Sequence, residues 1–131
     1  MLFRSIGKAN NDATLDSIMV LISKYDIGAN KTHFSIVTYA GRAQIRVSLD
    51  DPNYYSQDAL SQLIQEMKDK DKLSSPTRTD RALKKVCESV FVTEGGDRPE
   101  SPNVLVIFTD GGTHEKSEPY DTVLRGCEVS N

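Results

Sequence analysis

The 131 residues predict an α/β fold, a doubly wound and mostly parallel sheet with helices on both faces. Three observations carry this. Val104 to Phe108 (VLVIF) is a continuous apolar run bounded by turn residues, as a buried parallel strand requires. His33 to Ala40 (HFSIVTYA) is β-branched and aromatic, which predicts a second strand buried on both faces. Stretches with apolar residues at helical spacing alternate with these strands.

Along the chain, residues 9 to 25 form the first amphipathic helix, with Leu15, Ile18, Met19, Leu21 and Ile22 on its apolar side. Asp12, Asp16 and Lys24 are left for the solvated side, and Gly28 follows as a helix stop. After the His33–Ala40 strand and the Gly41-Arg42 turn, Ala43 to Leu49 alternates apolar and polar residues. Ile45, Val47 and Leu49 should share one face of an edge strand. Ser56 to Met67 is a second helix carrying Leu60, Leu63, Ile64 and Met67, and the alternating charges of Lys68 to Lys72 make a solvated helix end. Thr79 or Asp80 caps a third helix reaching Phe91 through Leu83, Val86, Cys87 and Val90. Gly95-Gly96, Pro99 and Pro102 mark a long loop. Pro119 opens a last helix as its first residue.

Composition excludes several classes. With 37% hydrophobic and 27% charged residues, the chain suits one domain with a modest core. No apolar run approaches the roughly 20 residues of a membrane span. A net charge of -3 has the wrong sign for a dedicated nucleic-acid binder. Two cysteines, Cys87 and Cys127, are too few for a disulfide scaffold or a structural zinc site, and leave open one bridge or two buried thiols. The opening MLFRSIG has no apolar signal region, which leaves a cytosolic protein or a chain lacking its true beginning. Asn30-Lys31-Thr32 is an N-glycosylation sequon in a surface turn.

Open α/β sheets bind ligands beyond the carboxyl ends of their strands. The loops there carry Ser5, Thr77, Thr79 and Asp110, and hydroxyls with a carboxylate are hard donors of the kind magnesium or calcium prefers. His114, close after Asp110, invites a hydrolase reading, but no nucleophile elbow or glycine-rich phosphate loop accompanies it.

The segments SIGKAN, KYDIGANKTHFSIVTYAG, TRTDRAL and VLVIFTDGGTHE occur in this order, and together they resemble the von Willebrand factor type A domain. The resemblance implies a Rossmann-like fold and a non-enzymatic binding module. It also implies a metal-ion-dependent adhesion site (MIDAS), built from Asp-x-Ser-x-Ser, a Thr and an Asp in three loops. Ser5 matches the last serine, Thr77 the threonine and Asp110 the final aspartate, with Thr79 supporting Thr77. A Mg2+, Ca2+ or Mn2+ ion held there would take an acidic residue of a collagen-like or other matrix protein as a further ligand. Most animal members are secreted or lie at the cell surface, and a minority are intracellular scaffolds that assemble partners without metal. If the fold holds, the helices bearing Cys87 and Cys127 share a face of the sheet, so a bridge can form.

The departures from the family pattern are specific. Phe3 stands where the family has its first serine and Met1 where it has aspartate. No counterpart of the preceding central strand, or of the later strands and helices, is read in the sequence. Residues 1–131 are therefore expected to be a single type A domain truncated at both ends, with unpaired strand edges and a weakened metal site.

Overall fold

The computed structural model describes residues 2–4, 8–39, 42–70, 78–108, 116 and 118–130. Its elements are β1 (Leu2–Arg4), α1 (Lys8–Ser23), β2 (Ile36–Tyr39), β3 (Ala43–Val47), α2 (Gln57–Lys70), α3 (Thr79–Ser89), β4 (Ile107–Phe108) and α4 (Tyr120–Ser130). Short 3-10 turns at Pro52–Tyr54 and Thr93–Gly95 precede α2 and follow α3. The sheet runs β3-β2-β1-β4, with β1 parallel to β2 and β4, and β3 antiparallel to β2.

The expectation that the central strand is missing is corrected here. Leu2–Arg4 fills the centre of the sheet, Leu2 lying level with Val37 on one side and Ile107 on the other. Three residues are enough because each flanking strand offers main-chain groups that need partners. The strand expected at Val104 to Phe108 is correspondingly short, since its ladder extends only as far as β1 does.

Helices cover both faces. Leu15, Ile18 and Ile22 of α1 meet Leu60, Ile64 and Met67 of α2 over Ile36 and Val47. On the opposite face Ala82, Leu83, Val86 and Val90 gather with Val123 of α4 over Val37 and Tyr39. All four residues of β2 are buried, so it is enclosed by both layers. Between α1 and α2, Lys68 pairs with Asp16 rather than extending into solvent. Asp12 also departs from the expected solvated face: its Oδ1 is buried and has no hydrogen-bond partner among the described residues.

The β2–β3 pairing corrects a second expectation. Ile36 pairs with Val47 and Val37 with Ile45, so the register shifts at a bulge. Val47 then packs on the α1/α2 side, whereas Ile45 and Leu49 pack on the α3/α4 side. An extra residue reverses the side on which subsequent side chains emerge, which undoes strict alternation. The Ser35 hydroxyl donates to the Val47 carbonyl at 2.6 Å and pins the distortion.

Gly96 has a φ of 90° and lies so close to Asp50 that an added Cβ would sit 2.5 Å from its main-chain nitrogen. Glycine is required there by both conformation and space.

Ile18→Ala empties a fully buried position and should cost about 2–5 kcal/mol in urea denaturation. Val20→Ala, at a 57% exposed position on the same helix, should stay within about 0.5 kcal/mol.

Candidate functional site

The carboxyl ends of the parallel strands lie at one end of the sheet, where β1, β2 and β4 finish at Arg4, Tyr39 and Phe108. Phe3 and Phe108 are level across adjacent strands. In the sequence Ser5 follows β1 directly, Asp110 comes two residues after β4, and Thr77 comes two before α3. Ser5, Thr77, Asp110 and His114 themselves lie outside the described residues. What the structure supplies is the scaffold: two adjacent parallel strands and one helix start deliver the chain to these positions.

Among the described residues no group of three or more His, Cys, Asp or Glu side chains could hold a metal ion. The residues expected from the sequence, Ser5, Thr77 and Asp110, are two hydroxyls and one carboxylate. That set has the hard oxygen chemistry a Mg2+ or Ca2+ ion favours, but little negative charge.

The start of α3 follows Thr77 in the chain. Thr79 is fully buried and Asp80 is 1% exposed. Neither caps the helix as the sequence predicts; Arg78 occupies the N-cap position without a side-chain capping bond. Asp80 instead accepts both arms of the Arg78 guanidinium, Nε to Oδ1 at 2.9 Å and Nη2 to Oδ2 at 2.7 Å. These hydrogen bonds, aided by the charges of Asp80 and Glu118, hold Arg78 above the usual arginine range against the desolvation that opposes them. Lys84 is raised likewise by its hydrogen bond to Glu118, which ties α3 to the segment before α4. The fork was hidden in the sequence because Asp at the first turn of a helix reads equally well as a cap. Its one local signal is the Arg-Thr-Asp order, which places opposite charges two residues apart.

The remaining singled-out residues lie elsewhere. Asn30 is exposed in the turn between α1 and β2, where Lys31 N–H donates to the Gly28 carbonyl. His33 donates from Nε2 to the Ala29 carbonyl at 2.9 Å and stacks on Tyr55 at 4.1 Å, a structural role. Cys87 is half-buried and disulfide-bonded, which replaces the buried thiol expected by default.

The model of the von Willebrand factor type A domain matches residues 4–128. The chain belongs to this family. Human integrin alpha-E is 32% identical over 97 residues, which cover 74% of this type A chain and 8% of that protein. The human collagen alpha-5(VI) chain is 28% identical over 122 residues, 92% of this chain and 4% of that one. This type A chain therefore spans less than a tenth of the length of either relative. Among solved structures, proximal thread matrix protein 1 from the mussel byssus, with its MIDAS motif occupied by zinc, superposes with a TM-score of 0.79. That likeness, at 18% identity, covers 98% of this chain and 34% of the byssus protein and shows the fold.

Asp80→Ala is expected to lower Tm by several degrees, and by more than Lys84→Ala, because it strips the fork from a buried helix start whereas the Lys84 pair is exposed. Thermal unfolding followed by circular dichroism measures both.

Proposed function

We propose that residues 1–131 form one partial type A domain that serves as a non-enzymatic protein-binding module in a secreted or cell-surface adhesion or matrix protein. The observation that supports it best is the convergence at one end of the sheet: β1, β4 and α3 each border a loop bearing an oxygen donor that the family pattern uses. In this reading Ser5, Thr77 and Asp110 hold a divalent ion, and Thr79, buried at the first position of α3, steadies Thr77 from behind. The ion would polarise and orient an acidic side chain of a matrix partner, collagen-like or otherwise, that completes its coordination. Integrin and collagen VI relatives support the adhesive and matrix setting, and the zinc-occupied byssus protein supports a divalent ion. The exposed Asn30 sequon and a Cys87–Cys127 bridge between α3 and α4 fit an oxidising, glycosylating compartment.

With one carboxylate among three donors, this chain should bind metal weakly. Isothermal titration with MgCl2 is expected to give an affinity at least about tenfold below that of a Met1→Asp/Phe3→Ser variant expressed behind an added start methionine. Asp110→Ala should abolish what binding remains. Equal affinities for the chain and the double variant would remove the metal from the proposal and leave a metal-independent scaffold.

Expression through a secretory pathway tests the compartment. Intact mass should show a glycan that Asn30→Gln eliminates and no free thiol until reduction. Reduction should cost about 2–4 kcal/mol of stability in urea. An unglycosylated product with two free thiols would favour the intracellular reading.

A further inference from the structure

A guanidinium carries several N–H donors, and the fork between Arg78 and Asp80 uses one on Nε and one on Nη2. The edge formed by Nη1 and the other Nη2 hydrogen is left over. Among the described residues none accepts from Nη1. Nη1 is not sealed either, since the Arg78 side chain is 21% exposed and none of its atoms is buried without a partner. The Asp80 side chain is only 2% exposed, so the carboxylate that orients Arg78 is itself fixed by burial.

The place of this edge is set by the chain. Arg78 is the N-cap residue of α3 and directly follows Thr77, so it stands at the carboxyl end of the sheet. No side-chain capping bond is made there, and the partial positive charge of the helix start adds to that of the guanidinium. Glu118 also attracts Arg78, but its carboxylate is held 2.7 Å from Lys84. Asp80 is thus committed to one edge of Arg78 and Glu118 to Lys84. The second edge is left for a carboxylate from outside.

We propose that Arg78 is an anion-recognition residue whose free edge takes a carboxylate of the partner protein in a bidentate pair, without a metal. The proposal rests on reading this end of the sheet as the face that meets an acidic partner, and not on the ion. Asp80 holds the guanidinium in place beforehand, so less rotamer freedom is lost on binding than at an untethered surface arginine. A lysine here would keep the charge but not the two planar edges.

The test is a chemical-shift titration of the isotope-labelled 131-residue chain with a blocked glycine–glutamate–glycine tripeptide, at about 0.15 M salt with EDTA present. Shifts should gather at the Arg78 Nε–H and the amides of 79–81. They should saturate with a dissociation constant on the order of millimolar, as one charged anchor gives. Arg78→Lys should weaken binding about tenfold, and the matching glutamine tripeptide should not bind. Arg81→Lys, which alters an exposed cation of the same helix, should change nothing. The two peptides are compared on the unaltered chain, so that arm stands whether or not Arg78→Lys folds. Equal shifts with the glutamine peptide, equal affinity of the Arg78→Lys chain, or shifts confined to other surfaces would each overturn the proposal. So would a requirement for MgCl2, which would return the carboxylate to the ion. Binding that persists in EDTA while the chain fails to bind MgCl2 would remove the ion and keep Arg78.

Discussion

Strand β2 is buried along its whole length, and the rest of the molecule is arranged around the consequences. A strand covered on both faces cannot pass its main-chain groups to water, and each buried group left unpaired costs about 1–3 kcal/mol. β3 supplies partners along one edge and β1 along the other. With the strand so held, successive side chains point to opposite layers. Ile36 anchors α1 and α2, while Val37 and Tyr39 anchor α3 and α4.

The two ends of the sheet are built differently for the same reason. At the carboxyl end α3 begins with two buried residues, and the charge on Asp80 is tolerated there because the Arg78 fork satisfies both of its oxygens. That fork fixes the path of the chain just after Thr77, which makes this end suited to holding donors in place. At the amino end, His33, Phe34 and Ser35, which lead into β2, and Asn103, Val104 and Val106, which lead into β4, line a cavity of about 400 Å3.

Much of this was legible in the sequence. The first three helices follow from apolar spacing and the last from Pro119, and the charged run after Met67 does continue α2, to Lys70. The order of elements from α1 onwards follows from the contrast between strand and helix periods, and the enclosure of β2 from its β-branched and aromatic run. Three features were not legible. Leu2–Arg4 is too short to display any period, so nothing local marks it as the central strand. Ala43 to Leu49 alternates cleanly, yet the bulge sends Val47 and Ile45 to opposite layers. Asp80 carries the signature of a helix cap while its partner is the guanidinium two residues before it.

The sequence by itself determined the family, the α/β class, the helical faces and the kind of donor set that the loops carry. These depend on residue type and on spacing over a few positions, which the chain states locally. The tertiary structure decided which strand is central, where the β2–β3 register shifts, and which residues are sealed at the start of α3. Each of those depends on pairing between segments far apart in the chain. Such pairing is chosen by burial and hydrogen-bond satisfaction across the whole sheet, and no local pattern encodes it.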